Sequence, residues 1–360
     1  MKIAYLIEDF SMKGGAERII AQKADLLAEF YGHDVAIISI FHDDRPPAYP
    51  LHGVKFESLD VPFAVKKGGI TRKTLSRTRV LMQTAMRFNK AMAAFKPDII
   101  FFTLGIGALL LPLYRGKAKR IYESHSARRF TPYHSFFIPM ELKADAIVCL
   151  TDGDAKEYRH AKRVEVIPNF VEPFEKHAIN YAVRRAIAVG RLEHVKGFDR
   201  LIRCWKRAAT SFPDWQLDIY GEGSLRETLQ RQLDDAGING TIRLCGRTEN
   251  IMQTYPEYSL NLISSRYEGF SMTLLEAQAA GLPAVTFDFK YGARSIVKDG
   301  VTGIIVPQDD EDAFVNALER MLSDEGLRRK YGTEAAKTAS RFACTEVMNK
   351  WNSLINSFQR

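Results

Sequence analysis

Two glutamates eight positions apart, Glu268 and Glu276, bracket the stretch Gly269-Phe270-Ser271-Met272-Thr273. The apolar run from Tyr258 to Ser264 before them reads as a buried strand. Leu274, Leu275, Ala277, Gln278 and Ala279 read as the opening turns of a helix that stops at Gly281. Such a turn presents free backbone N–H groups, here from Phe270, Ser271, Met272 and Thr273, and the positive end of a helix dipole. That is a seat for an anion. Glu268 falls in the mouth of the turn and Glu276 about one turn into the helix. Carboxylates so placed repel phosphate and accept hydrogen bonds from sugar hydroxyls. Phosphate on the amides and hydroxyls on the carboxylates describe a sugar nucleotide. Glutamates at this spacing also occur as ordinary surface charges; the glycine, the small turn residues and the strand–helix frame set these apart.

Other positions suit the same ligand. Gly14-Gly15-Ala16-Glu17-Arg18 follows the first strand, and paired glycines let a backbone approach phosphate closely or simply make a tight packing turn. Arg191 and Lys196 lie just past the strand that ends at Gly190. Two cations about one helical turn apart clamp a diphosphate and stabilise the charge that develops as its bond breaks, unless they are only a solvated helix start. Glu193 and His194 between them read as filler. His125, in Tyr122-Glu123-Ser124-His125-Ser126, ends a strand, where an imidazole donates to a sugar hydroxyl or exchanges a proton. His33, His42, His52, His160 and His177 read as surface or packing residues. Thr151-Asp152-Gly153-Asp154 has the spacing of a divalent-metal site, but an N-cap with a first-turn acid is the simpler reading. Asp309-Asp310-Glu311-Asp312 reads the same way. No metal site is expected.

The elements that must position these residues alternate. Strands are expected at Lys2–Ile7, Val35–Ile40, Val54–Leu59, Ile99–Phe102, Arg120–Glu123, Ala146–Leu150 and Val164–Ile167, with helices from Gly14 to about Phe30 and over Leu75–Phe95. After a linker-like stretch, strands recur at Ala186–Val189, Gln216–Tyr220, Thr241–Leu244, Ser259–Ile263 and Ala284–Phe287. Late helices follow at Glu311–Leu322 and Thr345–Phe358. Strands alternating with helices predict parallel, doubly wound α/β sheets. With 360 residues, two domains are expected: 1–170 plus the C-terminal helix 345–360, and 171–344.

Ser265 to Val285, SRYEGFSMTLLEAQAAGLPAV, closely resembles the E-x7-E region of retaining GT-B glycosyltransferases, a group that includes bacterial surface-glycan enzymes. GRLEHVKGFDRLI, from Gly190, and GGAER, from Gly14, resemble the same group, and the likeness runs over nearly the whole chain. It implies two Rossmann-like domains facing across a cleft, the first binding acceptor and the second the sugar nucleotide. It implies that Arg191 and Lys196 hold the leaving diphosphate, that Glu268 and His125 position the donor sugar, and that Glu276 binds the ribose. Gly246, Arg247 and Thr248 would meet the base through backbone groups, and Gly14 and Gly15 the diphosphate or acceptor. The group generally works without a metal, so no cofactor is expected beyond the nucleotide sugar as substrate, with UDP ahead of GDP as its carrier.

The net charge of +8 lies wholly in the first half. Val61 to Pro97 holds nine basic residues and no acidic one. On a helical projection Leu81, Ala85, Phe88, Met92 and Phe95 form a core stripe, with Arg72, Arg79 and Lys90 opposite and Lys73, Arg77 and Arg87 on the flanks. Solvated helix faces usually mix signs, so this patch suggests an anionic partner. Resembling enzymes that act on lipid-linked acceptors meet an anionic membrane with such a surface. Arg128 and the aromatic-rich loop after it would join that contact. The first ten residues are too acidic for a signal peptide, the longest uncharged apolar run, Ile99–Tyr114, is 16 residues long, and the four cysteines form no pattern. Taken with the resemblance, which implies a lipid-linked glycan as acceptor, these features suggest a cytoplasmic protein held peripherally at the inner face of the cell membrane. Two other classes remain open: a partner subunit of the same fold without activity, opposed by the full set of charged residues, and a nucleic-acid-binding protein, for which no reader motif is present.

Overall fold

The computed structural model describes residues 1–41, 45–62, 70–172, 175 and 177–359, except the side chains of 70–76. His42 and the side chain of Arg72 fall outside the described residues. The chain divides into two compact units, Met1–Asn169 with Val347–Arg360, and Phe170–Glu346.

In the first unit β1 (Lys2–Ile7), β2 (Asp34–Ser39), β3 (Lys55–Ser58), β4 (Ile99–Thr103), β5 (Lys119–Glu123), β6 (Ala146–Cys149) and β7 (Val164–Val166) form one sheet. Its order is β3-β2-β1-β4-β5-β6-β7, parallel throughout. Runs such as Ile3–Ile7 and Ile99–Phe102 are apolar at every position because helices cover both faces, and all of these residues are fully buried. The chain steps outward from β1 to β3 and then crosses back to β4. That reversal opens a crevice between the ends of β1 and β4, where ligands of open α/β sheets bind.

The helix Ile70–Phe95 starts five residues before the expected Leu75, since nothing after Gly69 stops it. Phe88, Met92 and Ala85 are buried as the projection requires, and Arg79 and Lys90 are exposed. Met82 and Met86 are exposed with them, at helical spacing between the two cations. Arg87 is exposed on the flank, as expected, and its guanidinium donates to the carbonyls of Leu59 and Asp60, each at 2.7 Å.

The second unit holds β8 (Arg185–Val189), β9 (Gln216–Tyr220), β10 (Ile242–Gly246), β11 (Leu260–Ile263), β12 (Ala284–Phe287) and β13 (Gly303–Val306), in the order β10-β9-β8-β11-β12-β13, again parallel. The switch point lies between β8 and β11. Trp205, Leu217, Leu262 and Phe287 build one face of the core, with Phe287 stacked on Phe314 at 4.6 Å.

Several elements escaped the sequence reading, among them a strand and a long helix. β13 is only four residues long between turn signals. The helix Glu325–Ala339 buries small residues and an arginine in place of an apolar stripe. It packs so closely that a Cβ on Gly332 would lie 2.3 Å from the carbonyl of Gly281.

Candidate active site

The second unit gathers its charged residues on the loops that leave the carboxyl ends of β8 and β11, which are neighbours in the sheet. After β8 the chain turns through His194–Lys196 to Gly197, whose φ of +66° starts the helix Phe198–Ala209. A Cβ there would sit 2.1 Å from the carbonyl oxygen of Ser264, so only glycine allows the two loops to touch. The Ser264 hydroxyl donates to the Lys196 carbonyl at 2.9 Å, and the Arg266 amide to that of Val195 at 2.8 Å.

Two arginines lock the contact from within. Arg200, almost wholly buried with its guanidinium 3.8 Å from the centre of the Phe287 ring, donates to the carbonyls of Ser264 and Ser265 at 2.8 and 2.7 Å. Arg266 donates to the His194 carbonyl at 2.8 Å and grips both oxygens of Asp199 at 2.8 and 2.7 Å. Burial works to raise the Asp199 carboxyl, but Arg266, with Arg203 beside it, outweighs burial and holds it at about 2.

What this lock positions is an ion pair. Lys196 Nζ stands 3.0 Å from Glu268 Oε1, with both side chains mostly shielded from solvent, and the Ser265 hydroxyl donates to the same oxygen. The lysine stem lies over Gly190, where a Cβ would come within 3.2 Å of it. A cation that can face phosphate and a carboxylate that can face a hydroxyl thus share one point.

The loop after β9 completes the edge. Leu192 and Glu222 join at 2.9 Å, and Ser224 donates to Glu193 through its amide at 2.9 Å and its hydroxyl at 2.7 Å. These bonds pull the Glu193 carboxyl below its usual range. Glu193 is therefore a structural tie and not filler, while His194 contributes its backbone carbonyl. Gly221 donates to the carbonyl of Gly246 at 2.7 Å, and Gly246 takes a φ of +76° at a bulge that extends β10 two residues past the expected Leu244. Arg191 and Arg247 are exposed and Thr248 half-buried at this edge. Asn250 caps the short helix Ile251–Thr254, accepting from Gln253.

The helix Met272–Ala280 opens at Ser271 with no side-chain cap, which leaves its first amides to a ligand. Glu276 lies in its second turn, 6% exposed. Phe270 packs edge-on against Phe342 at 5.9 Å, so its ring is core and only its backbone faces the turn. Ser271 is buried; Met272 and Thr273 are half-buried, and the Thr273 carbonyl accepts from Tyr255.

In the first unit Gly14 caps the helix Gly15–Glu29 at a φ of −136°, and Gly15 has open space where a Cβ would go. Neither glycine is there for a left-handed backbone. His125 follows β5 with its side chain 2% exposed, and its Nε2 lies 3.2 Å from Glu123 Oε1. The next residue back, Ser124, donates to Asp154, whose other oxygen accepts from the Arg128 amide at 2.6 Å. Asp154 is thus a buried brace for the His125 loop, and Thr151 caps its own turn by accepting from the Asp154 amide. Arg128 does not match its expected outward role: its guanidinium donates to the buried Glu141 at 3.0 and 2.7 Å. Arg129 beside it is exposed.

Residues 13–173 match the family model described as Glycosyltransferase Family 4, and residues 170–338 the one described as Glycosyl transferases group 1. Together the matches run from residue 13 to residue 338, and the chain is GT-B glycosyltransferase-like, matching family 4 over its first unit and group 1 over its second. It is 26% identical to the amylovoran biosynthesis glycosyltransferase AmsD of Erwinia amylovora, over 99% of both chains. It is 25% identical to an N-acetyl-D-galactosaminyltransferase of Campylobacter jejuni whose name gives a PP-undecaprenol glycan, over 99% of this chain and 98% of that one. An exopolysaccharide phosphotransferase of Streptomyces coelicolor is 24% identical over 98% of this chain, which spans 40% of that relative's length. Among solved structures, TarM of S. aureus superposes with a TM-score of 0.79 at 13% identity over 100% of both chains, a likeness of fold.

The lock residues Arg200, Arg266 and Asp199 were missed in the sequence; the available signal was an arginine two positions before Glu268 and another three after Gly197. Arg266→Ala is expected to destabilise the second unit by about 1.5–3 kcal/mol at pH 7, the scale of a charge-assisted hydrogen bond lost. A carboxyl held low stabilises the fold above its unfolded value near 4 and stops doing so as pH falls toward 2. The gap between parent and variant in urea midpoints should therefore narrow steadily from pH 5 to pH 2.5.

Proposed function

We propose that the protein transfers a sugar, hexose or N-acetylhexosamine, from a nucleoside diphosphate, UDP, to a hydroxyl of a lipid-linked glycan in surface polysaccharide or glycoconjugate synthesis, with retention of anomeric configuration. The observation that carries this is the Lys196–Glu268 pair fixed on the same sheet edge as the uncapped start of Met272–Ala280. Arg191 and Lys196 would hold the diphosphate and offset the charge it gains on leaving, and the amides from Ser271 to Thr273 would take a phosphate oxygen. Glu268 and His125 would orient the donor sugar, Glu276 the ribose, and the backbone at Gly246, Arg247 and Thr248 the base. The acceptor hydroxyl attacks on the face the diphosphate leaves, and the leaving phosphate takes its proton. In this reading the two cations do the work of a metal ion. The glycan named for the Campylobacter relative, the polymer named for the Erwinia relative and the UDP held in the TarM complex support the acceptor class, the pathway class and the carrier.

The membrane reading rests on the outer face of Ile70–Phe95. Exposed Met82 and Met86 stand between exposed Arg79 and Lys90, and Phe136, Leu142 and Tyr133 are exposed farther along the same unit. Apolar tips flanked by cations suit an anionic lipid surface at the inner face of the cell membrane. Among the described residues no helix is long and apolar enough to cross a membrane.

Three outcomes test this. Glu276→Ala should weaken UDP binding by roughly tenfold or more, the loss of one charge-assisted bond, while Glu268→Ala mainly lowers turnover; calorimetry showing unchanged UDP affinity in the Glu276 variant would remove its ribose role. Arg191→Ala and Lys196→Ala should each lower turnover by roughly a hundredfold, and activity should persist in a chelator; loss restored by Mn²⁺ would return Asp152 and Asp154 to consideration. Changing Arg72, Arg79 and Lys90 together to glutamine should cut co-sedimentation with anionic liposomes by roughly a hundredfold at low salt, about 1 kcal/mol per cation, with UDP binding intact. Parent-like sedimentation would assign the patch another partner.

A further inference from the structure

The helix Gly15–Glu29 buries Ile19, Ile20, Ala24 and Leu27 on one face, and in the middle of that face it buries a lysine, Lys23. Its ammonium is fully enclosed, 3.7 Å from the centre of the Trp351 ring and 5.1 Å from that of Tyr5. An apolar residue would fill the same place without the cost of burying a charge, and buried ion pairs seldom add stability over such a replacement. Lys23 therefore calls for a reason beyond packing. Its Nζ donates to Glu123 Oε1, the oxygen that lies 3.2 Å from Nε2 of His125. The second carboxylate oxygen, Oε2, is buried with no hydrogen-bond partner, and His125 Nε2 is off the axis of a full hydrogen bond to Oε1.

We propose that Lys23 is a positioning residue for catalysis: by carrying the positive charge opposite Glu123 it leaves His125 neutral and held at the end of β5. This rests on the reading of His125 as the histidine that faces the donor sugar. The charge balance is simple. One buried carboxylate and one buried ammonium cancel, so a protonated imidazole would leave an unmatched charge in the interior. Without Lys23, the Glu123 carboxylate must take His125 as its counter-ion or accept a proton. Among the described residues Tyr5 from β1 also lies against this cluster, and burial and then the Glu123 charge keep it as the neutral phenol. Burial opposes the Glu123 charge, and Lys23, the larger of its partners, outweighs burial and holds the carboxyl well below its usual range. The imidazole that remains can donate from one nitrogen and accept at the other, which suits a sugar hydroxyl; an imidazolium can only donate.

The test is the NMR titration of the His125 ring in the full chain, assigned with a His125→Gln variant. In Lys23→Met, His125 should hold its proton to a pH at least about one unit higher than in the parent, a tenfold change in its proton affinity. Lys23→Arg should restore the parent value. If Lys23→Met does not fold, Glu123→Gln serves: it leaves the lysine charge alone beside the ring, so the His125 midpoint should fall. UDP affinity, a property of the second unit, should stay unchanged in all of them, while turnover of the nucleotide sugar in Lys23→Met falls by roughly tenfold or more at pH 7. A His125 midpoint that does not move in a folded Lys23→Met or Glu123→Gln protein would overturn the proposal, as would parent-like turnover in Lys23→Met. A parent that turns over no nucleotide sugar would sink the transferase reading instead, and the titration would still decide what Lys23 does to His125.

Discussion

The contact between the loops after β8 and β11 governs the second unit's site. It exists because Gly197 has no side chain, which lets the Ser264 carbonyl approach, and because Arg200 and Arg266 supply the carbonyls with hydrogen bonds. Ser264, Ser265 and His194 would otherwise keep carbonyls at a crowded strand end without donors, a cost comparable to a lost hydrogen bond each. Asp199 then balances Arg266, and Asp309 meets Arg200. Only with that frame in place does Lys196 reach Glu268. The chemistry of the site is carried by a few charged side chains, but their geometry is carried by backbone carbonyls and two arginines that would not touch a ligand.

The same logic recurs in the first unit with different parts. The Ser124 amide still donates to the Val148 carbonyl of β6 at 2.9 Å, and past it the loop to Arg128 leaves the sheet. Asp154 holds it from one side, accepting from the Ser124 hydroxyl and the Arg128 amide, and Tyr158 donates to Ser124. Glu123 and Lys23 meet it from the other side. Burial raises the Asp154 carboxyl, with the Arg128 amide opposing that shift. Charged residues inside this protein therefore mark the segments whose backbone must be held still.

Some expectations from the sequence changed sign once partners were visible. Arg128, counted as a surface cation, is consumed by the buried Glu141. Glu193, taken as filler, ties two loops together. In each case the residue type was right for its sequence neighbourhood, and a partner far along the chain decided its role.

What the sequence determined by itself was local and periodic. The strand, turn and helix around Glu268 and Glu276 follow from an apolar run, small turn residues and a glycine stop, all within about thirty positions. The two series of alternating elements follow from hydrophobic period, and they fix two doubly wound sheets because parallel strands need crossover helices. The core stripe of Ile70–Phe95 is a matter of 100° per residue, and Ala85, Phe88 and Met92 obey it. What only the tertiary structure decided was which charges meet. Lys196 and Glu268 are 72 positions apart, Lys23 and Glu123 are 100, and no short-range pattern couples them. An ion pair depends on distances of a few ångströms between side chains whose backbones are brought together by sheet order, and sheet order is set by the packing of the whole unit rather than by any stretch within it.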